Sequence, residues 1–231
     1  VLKLTETTPV KQEKVVVVPV VEAVLVIVVT FVLVLLLGSL FFIVLDTGLA
    51  LVLSELIILI VPLAYLLYKH VDIKRYIGID VNPNTVLWGF VSAAILFSVD
   101  IAVSAVLLIV FGESQAVIES NTLITELSQS PSGLIYVAVA LGLAGVCEEF
   151  AFRGFLQNTL TRRYSFIPAV IVSAFVFGLF HFDPQFVYII SAMSAGLVLG
   201  YVYHHWNSYL VSAIAHSSVN LVVLIMLLLG Y

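Results

Sequence analysis

The chain is a succession of apolar runs, each about 20 residues or longer, separated by short polar segments, and few folds accommodate such a pattern. A segment of that length rises 1.5 Å per residue as a helix and crosses roughly 30 Å of hydrocarbon. Inside a bilayer the backbone must satisfy its own N–H and C=O groups, which selects helices for runs of this kind. With 62% hydrophobic and only 10% charged residues among 231, little sequence is left for a soluble domain. The expectation is an all-α, polytopic transmembrane helical bundle of about seven spans, forming a single integral membrane domain over 1–231. The long first run and the polar stretch 112–131 leave room for an eighth membrane-associated helix.

Spans are expected over residues 17–45, 49–68, 85–111, 132–161, 166–182, 185–203 and 207–230. The fifth is expected to stop at Asp183-Pro184, because proline disfavours helix at the residue before it. The polar 112–131 stretch is expected to hold a short surface helix ahead of Pro131. The opening VLKLTETTPVKQEK leads into a run too long for the apolar region of a signal peptide, so a retained first helix is expected. Lys3, Lys11 and Lys14, then Lys69, Lys74 and Arg75, then Arg162 and Arg163 all fall on one side of this arrangement. Asp46, Glu113, Glu119, Glu126 and Asp183 fall on the other, so the positive-inside rule assigns a cytoplasmic N-terminus. A lone Cys147 excludes an intramolecular disulfide. A net charge of −5 without a basic tract gives no reason to expect nucleic acid as a partner.

Against this background Glu148, Glu149 and Arg153 stand out, because ionisable groups within a span are costly and mark function by default. Arg153 is four residues beyond Glu149 and shares its helical face, so it can pair with that carboxylate. Glu148 lies about 100° further round and is free for another partner. Two further polar sets occur in spans: His181 in FGLFH at 177–181, and His216 with Asn220 in HSSVN at 216–220. Counted from the helix ends, Glu148 lies about 20 Å deep, His181 about 22 Å, His216 about 13 to 18 Å and Asn220 about 20 Å. A shared level would let them line one interior site.

A carboxylate and a histidine around water supply a general base, and a histidine with an amide supplies donors to a tetrahedral oxyanion. Equally, His181, His216 and Glu148 could ligate zinc as a His₂Glu set, although no His-Glu-x-x-His helix fixes such a geometry. Glu55 and Asp100 are further acids within spans that could pair with Arg153 or tune the site. His204 and His205 are expected near an interface, as are Trp88 and Trp206. Cys147, Ser217 and Ser218 read as packing residues, and Gly196 and Gly200 as a close helix contact within the chain.

Taken together, EEFAFR at 148–153, FGLFH and HSSVN resemble the EExxxR, FxxxH and HxxxN signatures of the CAAX prenyl endopeptidase and bacteriocin-processing family of intramembrane metalloproteases. The resemblance covers roughly residues 130–225. It implies a helical bundle with a cavity open toward the cytoplasm, in which Glu148 and His181 activate water and His216 and Asn220 form the oxyanion site. Glu149 would then organise the site and Arg153 orient the acidic pair. The expected activity is endopeptidase cleavage of a membrane-associated peptide or lipidated-protein substrate, prenylated in some relatives, at a site within the bilayer or reached from the cytoplasm. The other readings are an ion- or proton-coupled transporter, whose relay would use the same buried acids and histidines, and a non-catalytic membrane chaperone.

Overall fold

Most of the long helices start on a side chain that accepts an otherwise orphaned backbone N–H. In the computed structural model, which describes residues 17–230, Asp46 accepts from Gly48 and Leu49, Asn82 from Thr85, Ser130 from Gly133 and Ser208 from Val211. Pro83 and Pro131 follow two of these caps in the first turn, where a missing N–H costs nothing. The resulting elements are α1 (Val20–Val44), α2 (Thr47–Tyr68), the short α3 (Ile73–Ile77), α4 (Pro83–Phe111) and α5 (Gln115–Leu127). They continue as α6 (Pro131–Arg163), α7 (Phe166–Phe180), α8 (Val187–Trp206) and α9 (Tyr209–Leu229). No strand occurs among the described residues. The expected grouping of Lys3, Lys11 and Lys14 before the first span lies outside them.

Among the described residues six helices, α1, α2, α4, α6, α8 and α9, are long and apolar enough to cross a membrane. This corrects the expectation of about seven full spans. The apolar α7 has 15 residues, or about 22 Å, and falls short of the hydrocarbon thickness. It ends earlier than Pro184 alone requires: His181 has already left the helix, at φ −91° and ψ 45°. The α7–α8 turn is closed by Asp183, whose carboxylate accepts from the backbone N–H of Gln185 and Tyr188. The 112–131 stretch holds the surface helix expected of it, α5, and no eighth span, since α5 has 13 residues and buries none of them.

Small residues set the helix spacing. A Cβ on Gly89 would collide with Ile214, one on Gly145 with Ser217, and one on Gly196 with Ala174 and Phe177, so α9 approaches α4 and α6 while α8 approaches α7. The Gly196–Gly200 pair therefore serves packing within the chain. Phe150, Phe152, Phe155 and Leu156 of α6 fill the main core with Leu66 of α2 and Phe177 of α7. Outward residues such as Ile43 and Ile109 are exposed, as suits a lipid-facing surface. At the end carrying Lys74 and Arg75, Trp88 and Trp206 stack with centroids 4.4 Å apart.

Candidate active site

The site is built on a widened stretch of α6. From Phe150 to Gln157 the helix is π-helical, and every side chain of that stretch is buried. Wide turns of this kind recur at functional sites. Arg153 Nη1 donates to Glu149 Oε1 at 2.6 Å, the pairing read from their spacing, and both side chains are fully buried. Its Nη2 donates to the Gly196 carbonyl of α8 at 3.2 Å, and the guanidinium carbon sits 4.3 Å from the centre of the Phe177 ring. One turn on, Gln157 Nε2 donates to the Gly200 carbonyl at 2.9 Å. The glycine pair that permits close packing thus also offers α6 two carbonyl acceptors.

His216 of α9 meets the acidic pair from the other side. Its Nδ1 lies 3.1 Å from Glu149 Oε1 and its Nε2 lies 3.6 Å from Glu148 Oε2, so one imidazole touches both carboxylates. Ser217 Oγ donates to the Gly142 carbonyl at 2.8 Å and Asn220 Nδ2 to that of Leu141 at 3.2 Å, which fixes the register of α9 on α6. His216 and Asn220 also face a cavity of about 500 Å³, whose wall includes His181, Tyr188, Ser191 and Asp100. Its lining also includes apolar side chains, Leu108 of α4, Ile118 and Ile124 of α5 and Leu227 of α9, beside polar ones such as Glu113 and Asn121.

His181 reaches this wall from the α7 terminus, with Nδ1 3.0 Å from the Phe177 carbonyl. The turn that carries it is tied to α5: Ser114 Oγ donates to Asp183 Oδ2 at 3.1 Å, and the Gln115 N–H donates to Gln185 Oε1 at 2.6 Å. Burial works against an Asp183 charge, yet the N–H groups of Tyr188 and Gln185 and the Ser114 hydroxyl hold its carboxyl below the usual range.

All three polar sets, and the turn between α7 and α8, fall within one stretch recognisable by family. Residues 130–222 match the family model of Rce1-like proteins, type II CAAX prenyl endopeptidase Rce1-like. The Rce1-like stretch begins at the Ser130 cap of α6 and runs past Asn220 in α9, covering less than half of the chain. No curated protein and no solved structure matches the chain. Glu55 and Asp100 lie outside the Rce1-like stretch, and neither pairs with Arg153. Asp100 accepts from Ser191 Oγ at 3.4 Å, while Glu55 Oε2 is buried without a hydrogen-bond partner.

Within the Rce1-like stretch the expected residues form two groups. Arg153, Glu149, His216 and Glu148 form a chain of contacts in that order, whereas His181 and Asn220 stand on the cavity wall and His181 forms no hydrogen bond or ion pair with Glu148. The zinc expectation does not fit this geometry. Among the described residues no three His, Cys, Asp or Glu side chains form a group that could hold a metal ion. His181, His216 and Glu148, the set expected to ligate it, are not brought together as such a group.

Sequence reasoning passed over Gln157 and Tyr188. Gln157 continues the Glu149–Arg153 row at the same four-residue step, a signal present in the sequence. Tyr188 lies seven residues beyond His181 across a non-helical turn, where no periodicity connects them.

Proposed function

We propose that the chain is an intramembrane endopeptidase that hydrolyses a peptide bond of a membrane-associated substrate. The observation that carries this reading is the single imidazole of His216, held between Glu148 and Glu149 at the wall of a cavity that it shares with His181 and Asn220. Buried carboxylates that serve structure alone need only their counter-charge. Here Arg153 contacts Glu149 directly, and Glu148 is left with the histidine.

In the proposed reaction Glu148 takes a proton from a bound water, and the oxygen of that water attacks the substrate carbonyl. The C–N bond then breaks, and the proton passes to the departing amine. His181, on the cavity wall, is assigned to hold the same water. Asn220 spends one amide N–H on Leu141 and keeps the other for the oxyanion. Glu149 and Arg153 fix the ring plane of His216. The apolar side chains of the cavity, Leu108, Ile118, Ile124 and Leu227, suit a hydrophobic group beside the scissile bond, and the name of the matched family makes an S-prenylated peptide the first substrate to try.

The test is Glu148→Gln in protein purified with its membrane insertion intact. This isosteric change keeps the hydrogen-bonding shape and removes the base, so cleavage of an S-farnesylated peptide ending in cysteine and three further residues is expected to vanish. Undiminished turnover in that variant would remove Glu148 from the chemistry.

A further inference from the structure

An inference that rests on the endopeptidase reading concerns the oxyanion. The family resemblance assigns two donors to that oxygen, His216 and Asn220. In the structure His216 Nδ1 is held by Glu149 at 3.1 Å while its Nε2 stands 3.6 Å from Glu148, beyond hydrogen-bond distance, and Asn220 keeps a single spare N–H. Acyl-transfer sites generally direct more than one donor at the oxygen where charge develops.

The cavity wall contains another. Tyr188 lines the cavity beside His181, its ring meeting the imidazole edge to face at 5.0 Å between centroids. Its backbone N–H is fixed by Asp183 at 2.8 Å, which anchors the start of α8 and hence the ring. The hydroxyl, by contrast, makes no hydrogen bond among the described residues. A phenol placed in a protein interior usually finds a partner, and one that opens onto a cavity without one is suited to a ligand. We propose that the Tyr188 hydroxyl is a further catalytic donor, hydrogen-bonding to the substrate carbonyl oxygen as it becomes an oxyanion, beside the donors expected of His216 and Asn220. The hydroxyl keeps its proton throughout and no bond to it is made or broken.

Tyr188→Phe retains the ring against His181 and deletes the donor. With the S-farnesylated peptide as probe, kcat is expected to fall about 10²-fold while KM changes less than twofold, as for loss of one oxyanion-hole donor. A peptide aldehyde, whose hydrate mimics the tetrahedral species, should lose affinity by a comparable factor, whereas a purely structural role would leave the ratio of inhibitor to substrate binding unchanged. An unchanged thermal midpoint would accompany the expected result. Wild-type kcat in Tyr188→Phe, alongside an inactive Glu148→Gln, would overturn the assignment and leave the endopeptidase reading standing. If wild-type protein cleaves neither this peptide nor its unprenylated form, the reading and the Tyr188 role fall together.

Discussion

Arg153 is the residue on which the buried charges depend. It is wholly enclosed, donates to Glu149 and to the Gly196 carbonyl, and lies over Phe177. Replacing it with methionine fills similar space but leaves Glu149 an enclosed carboxylate with no cation in contact. Removal of one partner from a buried pair typically costs about 3–5 kcal/mol, and a loss of that size is expected in the unfolding free energy of Arg153→Met. Adding Glu149→Gln should recover much of it, because the stranded charge is then gone. A double-mutant cycle followed by chemical denaturation in detergent checks this, and additive losses would argue against coupling. Lysine is not an adequate substitute, since a compact ammonium cannot reach a carboxylate and a carbonyl on another helix through a planar fork.

At the scale of elements, the glycines of α6 and α8 make opposite predictions. A Cβ on Gly200 would come within 2.6 Å of Gln157 Oε1 and closer to Val170, displacing the amide that donates to the Gly200 carbonyl, so Gly200→Ala should destabilise by about 1–3 kcal/mol. Gly142 has nothing within 4 Å of a built Cβ, and Gly142→Ala should be neutral or stabilising by up to about 1 kcal/mol. Thermal midpoints of the two variants in one detergent decide between these outcomes. The contrast also shows what a sequence can convey. Helix existence was legible because run length is a local property of the sequence, and the Glu149–Arg153 pair was legible from helical spacing. The early end of α7 was not, because Asp183, which accepts from the Tyr188 N–H across a non-helical turn, is itself held by the Ser114 hydroxyl, 69 residues away in sequence. Nor was the placement of His216 between both acids, which depends on the wide turn of α6 and on how α9 seats against Leu141 and Gly142.

Across the whole molecule the charges divide by end. Asn158 Nδ2 and Arg162 donate to the Tyr76 carbonyl, and Tyr76 bonds Thr159, which draws Lys74, Arg75, Arg162 and Arg163 to one end of the bundle. Glu113 and Asp183 mark the other end, and the cavity lies there, reaching Gly112, Glu113, Ser114 and Asn121 beneath α5. Two arguments now disagree about which side of the membrane supplies substrate. The positive-inside rule puts the basic end in the cytoplasm and the cavity on the far side, whereas the family resemblance implies a cavity open to the cytoplasm. Cysteine labelling separates them cleanly because the native Cys147 is buried and contributes little background. Glu119 of α5 and Asn84 at the start of α4 are exposed at opposite ends, and neither substitution alters a lysine or arginine. Charge placement predicts that Glu119→Cys reacts with a membrane-impermeant maleimide in intact cells and that Asn84→Cys reacts only after permeabilisation. The reverse pattern would place the cavity on the cytoplasmic side and show that the basic loops do not set the orientation of this bundle.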